Sequence, residues 1–235
     1  MLRATLVYVF VGVYILTLAP FALLWSIASR DNRLLYILAR VCIRAAGLIS
    51  GVRVQIKGQE KIAPAVAYVF LSNHQGNFDG PVLMHAIPRD CKALIKQEMM
   101  KLPVLSLVMK QVQFVPIERL NPKQAQTGIE LGARLLANGH CFFAFPEGTR
   151  SRDGRLGEFK KGVFIMAIKA QVPVMPVTIA GSLAIQPRGK YSVRPGCIEV
   201  IFHDPIPTAG RTLDDRNRLV QLTRKAIESG LTGSI

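Results

Sequence analysis

The sequence predicts an α/β fold in which a mostly parallel central sheet is flanked by helices and preceded by two N-terminal helices. Strand-like and helix-like segments alternate from about residue 54 onward, which is typical of βαβ units. The run at 64–71 is apolar and β-favouring, as expected of a strand buried on both faces. Before residue 54, an uncharged stretch is followed by a helical pattern. The same pattern leaves room for a mixed sheet with a few antiparallel strands.

Residues 1–53 are predicted to anchor the chain to a membrane. Residues 4–29 contain no charged side chain, and a helix of that length would span about 39 Å, more than the ~30 Å core of a bilayer. Pro20 is expected to kink this helix or to divide it. A transmembrane span and a bent, half-inserted anchor therefore both remain open.

Residues 33–52 are predicted to form a basic amphipathic helix. Apolar residues follow helical spacing while Arg33, Arg40 and Arg44 share the opposite face, which suits an anionic membrane surface. A core helix with a solvated arginine face is the alternative. Lys and Arg after the apolar stretch outweigh Arg3 before it, so the bulk of the chain is expected on the cytoplasmic face, at the inner membrane if the source is bacterial.

Residues 54–235 are predicted to form one α/β domain. Asn121 followed by Pro122 is a good helix start, and Gly139 is a good stop. The predicted strands are 64–71, 92–96, 113–117, 141–145, 173–180 and 197–203. The predicted helices are 80–87, 98–111, 122–138, 160–170 and 212–229.

The composition indicates an anionic partner. Lys and Arg number 30 against 15 Asp and Glu, and the isoelectric point is about 10.2. Nucleic acid would explain only the charge, because the uncharged N-terminal stretch and the lack of interleaved surface aromatics count against it. The histidines show no ligand spacing, so no metal is expected. Cysteines at least 49 residues apart argue further against zinc: Cys42, Cys91, Cys141 and Cys197.

The polar segment 73–79 (NHQGNFD) lies between a predicted strand and a predicted helix. Such loops place short polar side chains at the carboxyl edge of a sheet. We expect His74 in the loop and Asp79 at the helix start, where a carboxylate suits the unpaired N–H groups. Asp79 can then accept from one imidazole nitrogen and leave the other free as a base. A capping Asp beside a hydrogen-bonded loop histidine is the alternative.

A second polar block, 145–150 (FPEGTR), follows another predicted strand. Gly148 allows close backbone approach, Thr149 and Arg150 can hold phosphate oxygens, and Glu147 can orient the arginine. A surface turn with a Glu–Arg pair would have the same sequence pattern.

Two further cations, Lys96 and Arg119, also come at the ends of strand-like runs. Either one alone would be explained as a solvated charge. Because cations at the carboxyl ends of strands in one sheet can converge on one crevice, we expect them to join Arg150 in an anion site.

Four blocks together resemble the glycerolipid acyltransferase family that includes the 1-acylglycerol-3-phosphate acyltransferases. The family's Asn-His, four residues, Asp motif matches 73–79, and its Phe-Pro-Glu-Gly-Thr-Arg block matches 145–150 in full. Its Pro-hydrophobic-acid-Arg block resembles 116–119, and its Val-Pro-hydrophobic-hydrophobic-Pro-Val segment matches 172–177. Two departures fall near the 116–119 block: Gln113 stands where glycine is usual, and Glu118 where Asp is commoner. They bear on substrate identity rather than on reaction type.

The resemblance implies a membrane-bound enzyme that moves an acyl group from acyl-CoA or acyl-carrier protein to a lysophospholipid, with lysophosphatidate as the first candidate acceptor. It gives His74 the role of general base and Asp79 that of fixing its tautomer. Substrate binding falls to Lys96, Arg119, Glu147, Gly148, Thr149 and Arg150. No cofactor is implied, because a thioester is already activated. Without a Gly-x-Ser-x-Gly elbow in the sequence, direct transfer is favoured over a covalent acyl-enzyme.

Three other functions remain open from the sequence. The acceptor could be another lysolipid, such as a lyso-ornithine lipid. A thioester or lipid hydrolase could use the same His–Asp pair with water as acceptor. A non-catalytic protein that binds anionic lipid would explain the charge and the N-terminal segments, but not the paired polar motifs at strand ends.

Overall fold

A computed structural model of the chain describes residues 1–118 and 121–232. The described residues form seven strands and eight α-helices. The strands are β1 (Val52–Lys57), β2 (Val69–Ser72), β3 (Cys91–Lys96), β4 (Val115–Ile117), β5 (Cys141–Ala144), β6 (Val174–Ala180) and β7 (Gly196–Phe202). The helices are α1 (Leu2–Ser29), α2 (Arg33–Ser50), α3 (Asp79–Ala86), α4 (Leu105–Gln111), α5 (Pro122–Ala137), α6 (Gly162–Ala170), α7 (Ser182–Ile185) and α8 (Arg216–Thr232).

The strands form one sheet in the order β1-β7-β6-β2-β5-β3-β4. All neighbouring pairs are parallel except β6 with β7, which is antiparallel. The predicted α/β class, with a mostly parallel and mixed sheet, is therefore confirmed. The sheet's edge strand β1 was missed, and the expected boundary between residues 53 and 54 falls inside it.

The core consists of two apolar layers, one on each face of the sheet. Alternate residues of β2 serve the two layers, since Phe70 packs on one side while Val69 and Leu71 pack on the other. Helices α6 and α8 cover the second layer with fully buried residues such as Phe164 and Leu219. Burial on both faces explains why the central strands β2, β5 and β6 are almost entirely apolar.

Helix α1 is unbroken from Leu2 to Ser29, with Pro20 inside it. The expectation that Pro20 divides the segment is therefore wrong. This helix is long and apolar enough to cross a membrane by length and composition, and only 11% of its most apolar stretch is buried by the rest of the fold. Its small buried residues, Ala22 and Ser26 among them, face the protein.

The two N-terminal helices are tied to the α/β domain through a polar cluster. The Gln111 amide lies at the end of α4 and donates to the Ser26 hydroxyl at 3.0 Å and to the Asn32 side-chain oxygen at 3.2 Å. The Asn32 amide in turn donates to the Gln111 carbonyl at 3.2 Å. Since these groups sit at the α1–α2 turn, the N-terminal helices have a fixed position on the sheet domain.

Helix α2 is amphipathic as predicted, but its apolar side is partly used by the fold. Leu35 and Tyr36 are buried, and the Tyr36 hydroxyl donates to the Cys91 carbonyl at 3.1 Å. Arg40 pairs with Asp90 at 2.9 Å, so one of the three arginines expected to face lipid is engaged by the protein.

The helix predicted at 98–111 is interrupted. A short 3-10 helix covers Gln97–Lys101, and α4 begins only at Leu105, because Pro103 lacks an N–H for a continuous helix. The strand predicted at 64–71 likewise begins late, at Val69.

Candidate active site

Four neighbouring parallel strands, β2, β5, β3 and β4, end at the same edge of the sheet. His74 follows β2, the block at 145–150 follows β5, and Lys96 ends β3. Arg119, the remaining candidate, lies outside the described residues. With strands about 4.8 Å apart, Lys96 belongs to a strand roughly 10 Å from β2, whereas the 145–150 block is next to it.

His74 and Asp79 form a hydrogen-bonded pair. The imidazole Nδ1 lies 2.7 Å from Asp79 Oδ2. The same carboxylate oxygen accepts from the backbone N–H groups of Gln75 at 2.6 Å and Gly76 at 2.8 Å. Asp79 is fully buried at the first position of α3, where the helix N-terminus stabilises negative charge. In this arrangement Asp79 Oδ2 is the acceptor that holds the proton of His74 on Nδ1.

The other imidazole nitrogen, Nε2, is left available as a base. The His74 ring stacks on the Phe145 ring with centroids 4.0 Å apart and planes inclined by 17°. Its side chain is 21% exposed, enough for a substrate hydroxyl to reach one edge. The sequence placed Phe145 at the end of a strand-like run and at the start of the 145–150 block but gave it no role of its own, whereas its ring fixes the plane of the candidate base.

The loop that carries His74 is held from two sides. The Asn73 side chain donates to the Ile179 carbonyl and accepts from the Ile179 N–H, both at 2.7 Å, so it is locked to strand β6. The His74 carbonyl accepts from the Ser151 N–H at 2.7 Å. Asn73 is part of the matched motif. Its two hydrogen bonds to the backbone of Ile179 could not be predicted without knowing that β2 and β6 are neighbours in the sheet.

The sequence suggested that Glu147 orients Arg150, but the structure shows no bond between these two side chains. Its two carboxylate oxygens instead accept from the backbone N–H groups of His74 and Gly157, each at 2.8 Å. Burial raises the pKa of the Glu147 carboxyl above its ordinary value, and the hydrogen bonds from Gly157 and His74 lower it in part. The Glu147 side chain therefore links the loop that carries His74 to the segment around Gly157, and it fixes the backbone of His74.

Replacing Glu147 by glutamine is expected to destabilise the fold by roughly 1–3 kcal/mol and to lower activity, because the new NH₂ group would face a backbone N–H donor. Chemical denaturation and the transfer rate would measure both effects. The matched control is Glu158→Gln, which changes an exposed carboxylate that pairs with Lys160 and should alter neither. Equal stability of the two variants would contradict the bracing role.

The 148–150 turn presents polar groups beside the His74 loop. Gly148 has φ 73°, in the left-handed region that glycine adopts without strain. Thr149 is exposed, and its hydroxyl accepts from Arg188 Nη1 at 2.9 Å. Arg150 is half-buried and forms no ion pair within residues 1–118 and 121–232. Lys96 was expected to join Arg150 in one anion site. Its ammonium instead pairs with the exposed Glu98 at 2.8 Å and does not contact the 148–150 turn.

Gln113 is one of the two departures from the family pattern, and the structure shows how it is accommodated. Its φ is 58°, a conformation that favours glycine. Here the buried Lys92 ammonium donates to the Gln113 side-chain oxygen at 2.7 Å and lies 3.3 Å from the Val112 carbonyl. Gln113 thus stands where the family usually has glycine, and its contact with Lys92 fixes its strained backbone.

No group of three His, Cys, Asp or Glu side chains suited to a metal ion occurs in the described part of the chain. The four cysteines are free, three of them buried and Cys197 exposed. The chemistry that the site's residues can perform is proton transfer at His74 next to a polar, cationic turn.

Comparison with known proteins gives a consistent set of relatives. The model of the acyltransferase family matches residues 53–180. The chloroplastic 1-acyl-sn-glycerol-3-phosphate acyltransferase BAT2 of Brassica napus is 36% identical over 156 residues, which are 66% of this chain and 45% of the relative. The 1-acyl-sn-glycerol-3-phosphate acyltransferase beta of Homo sapiens is 30% identical over 188 residues, 80% of this chain and 68% of the human protein.

A solved structure is similar over nearly the whole chain. The crystal structure of the 1-acyl-sn-glycerophosphate acyltransferase PlsC from Thermotoga maritima has a TM-score of 0.83 and 26% sequence identity, covering 97% of this chain and 94% of that one. The chain spans less than half the length of the Brassica napus relative. The family model covers more than half of the chain and includes both polar motifs. The chain therefore belongs to the acyltransferase family.

Proposed function

We propose that the protein is a membrane-bound 1-acylglycerol-3-phosphate acyltransferase, which converts lysophosphatidate to phosphatidate with an acyl thioester as donor. The observation that carries the proposal is the His74–Asp79 pair, with Asp79 buried and fixed by two backbone N–H groups. The activities for which the relatives are named support the choice of substrate. In a family whose members transfer acyl groups, a base of this kind serves to activate the acceptor hydroxyl.

In the proposed reaction, His74 Nε2 takes the proton of the lysolipid hydroxyl as its oxygen attacks the thioester carbonyl. The resulting imidazolium is stabilised by the Asp79 carboxylate. The tetrahedral intermediate then collapses with loss of the thiolate, which takes up the proton from His74. Phe145 keeps the ring plane fixed through the cycle, and Glu147 holds the loop that carries it.

The acceptor's phosphate is proposed to bind at the 148–150 turn. Arg150 carries a planar fork of donors with no ion-pair partner in the described part of the chain, which suits two phosphate oxygens. Thr149 adds a hydroxyl, and Gly148 lets the backbone approach closely. Lys96 and Arg119 remain candidates for a wider cationic rim.

The donor is proposed to be acyl-CoA or acyl-carrier protein, and the chain is proposed to bind the membrane through α1 and α2. Eleven large apolar side chains of α1 are exposed, Trp25 among them. Arg33 and Arg44 lie exposed on α2, where they can contact anionic lipid. The excess of basic residues after α1 supports a cytoplasmic position of the sheet domain.

A panel of acceptors tests the proposed activity. The full chain in lipid vesicles would be given labelled acyl-CoA with lysophosphatidate, a lyso-ornithine lipid or monoacylglycerol, and the products would be identified by mass spectrometry. We expect phosphatidate as the main product. A preference for the lyso-ornithine lipid would change the acceptor but keep the reaction. Free fatty acid formed equally with and without any acceptor would mean that the protein is a hydrolase.

Membrane attachment is predicted to depend on the exposed side of α1. Val13 and Leu16 are 56% and 66% exposed near the middle of the helix, so their replacement by arginine should spare the fold. An arginine at the centre of a membrane helix costs about 2.5–3.5 kcal/mol, so the double variant should lose more than about 10²-fold in vesicle partitioning. Flotation assays would measure it. Leu213→Arg, at an exposed apolar position far along the chain, is the control, and a double variant that floats as well as this control would refute the prediction.

A further inference from the structure

We propose that Arg188 is a second phosphate-binding cation of the active site, working beside Arg150 on the far side of Thr149. The inference rests on the proposed function and deepens it by adding a binding residue that the family motifs do not contain. Arg188 belongs to the loop at 186–194, which follows α7 and lies outside all four sequence blocks.

The first support is that the 186–194 loop is joined to the His74 loop through backbone contacts. Gly76 pairs with Pro187 in an isolated antiparallel bridge, and the Asn77 N–H donates to the Gln186 carbonyl at 3.1 Å. Helix α7, which leads into this loop, is also close, because a Cβ at Gly76 would lie 2.7 Å from the Ser182 carbonyl oxygen. Arg188 is therefore the next residue after Pro187, which contacts the His74 loop directly.

The second support is the contact across the 148–150 turn. Arg188 Nη1 donates to the Thr149 hydroxyl at 2.9 Å, which brings the guanidinium to the residue next to Arg150. An arginine has five N–H donors in a fixed fork, and this bond uses one of them. Arg188 is exposed and forms no ion pair within residues 1–118 and 121–232, unlike Lys96, which is paired with Glu98.

The third support is that the loop is fixed rather than loosely placed. The buried Gln186 amide lies 3.1 Å from the carbonyls of both Lys190 and Tyr191, and 2.6 Å from the Tyr8 hydroxyl of α1. Tyr8 also stacks on Tyr191 with ring centroids 5.2 Å apart. The helix proposed to enter the membrane thus holds the loop that presents Arg188, so the guanidinium is preorganised where a lipid phosphate would arrive.

The chemistry that fits this arrangement is a phosphate group. Arg188 donates to the Thr149 hydroxyl and Arg150 is the next residue in the turn, so two guanidinium groups are available near Thr149. Each offers several donors in a planar fork, and each charge-assisted bond to phosphate is stronger than a neutral one. No acidic residue occurs between Glu158 and Glu199, so the loop itself offers no internal partner for the charge. The phosphate could belong to the lysolipid acceptor or to the coenzyme A part of the donor, and the two sources can be separated experimentally.

The test uses the full chain in vesicles and three variants. Arg188→Gln should lower kcat/KM by about 10–100-fold, the range expected for loss of a hydrogen bond to a charged group. Arg188→Lys should recover part of the loss, because a point charge cannot replace the fork. Lys190→Gln is the matched control, since it removes the same charge two residues away in the same loop and should leave the rate unchanged. Melting curves establish that all variants fold.

The source of the phosphate follows from which constant changes. If KM rises for lysophosphatidate and activity on monoacylglycerol is unaffected, Arg188 binds the acceptor's phosphate. If KM rises for acyl-CoA but not for an acyl-pantetheine without phosphate, it binds the donor's phosphate. Either result supports the proposal. It is overturned if Arg188→Gln matches Lys190→Gln, or if the loss is equal on substrates with and without phosphate. Failure of the wild type on every acceptor would instead refute the proposed function.

Discussion

Replacing His74 by alanine is expected to lower the rate of acyl transfer by about 10²–10⁴-fold, the usual contribution of a general base. The structure gives the physical reason, because Nδ1 is committed to Asp79 and only Nε2 remains to take the hydroxyl proton. The imidazole is 21% exposed and rests on Phe145, so its removal leaves the core intact and stability should change little. Transfer of a labelled acyl group by full-length protein in vesicles measures the loss.

The matched control for this substitution is His140→Ala. His140 is exposed and immediately precedes β5, at the opposite edge of the sheet from the candidate site. The His140→Ala substitution should therefore leave the rate of acyl transfer unchanged. A His74→Ala protein that keeps half of the wild-type rate, while His140→Ala behaves like the wild type, would remove His74 from the role of base.

Asp79→Asn is expected to cost roughly 10²-fold or more, even though the side chain keeps its shape. An asparagine oxygen placed at the Oδ2 position could still accept from Gln75 and Gly76, but it carries no charge to stabilise the imidazolium. In the flipped orientation its NH₂ would face these donors and force His74 into the wrong tautomer. The loss should appear in kcat rather than in the KM of either substrate.

Asp204→Asn provides the corresponding control, because Asp204 is 87% exposed and pairs with the surface Lys61, away from the candidate site. Melting temperatures of both variants would separate catalysis from folding. Full activity of a folded Asp79→Asn protein would mean that Asp79 merely caps α3, which was the structural alternative for this residue.

The central part of the fold could be predicted because its strands carry their own signal. Strands buried on both faces are almost entirely apolar, and polar blocks mark where β2 and β5 end. The first strand escaped prediction because Val52–Lys57 alternates buried and exposed residues at the sheet edge, right after a helix of similar apolar content. Pro20 was expected to kink or divide α1. The helix is not divided there, since a single missing N–H does not prevent helical φ and ψ around it.

The candidate site could be predicted where partners are close in sequence. His74 and Asp79 are five positions apart across one strand-to-helix connection, so local geometry was enough to expect the contact. Glu147 was misassigned because its partners, the N–H groups of His74 and Gly157, are backbone groups that no side-chain pattern marks. Arg188 was missed because it meets Thr149 only through the return of the 186–194 loop to the catalytic loop.

The measurement that tests the proposed activity most directly is the ratio of phosphatidate formed to coenzyme A released. Full-length protein in vesicles would receive lysophosphatidate and isotopically labelled acyl-CoA, and both products would be followed by mass spectrometry. Direct transfer from His74-activated lysolipid predicts one labelled phosphatidate for each coenzyme A, and neither product above background from His74→Ala. Coenzyme A released at the same rate without lysophosphatidate, with labelled free fatty acid as the other product, would contradict the proposed acyl transfer.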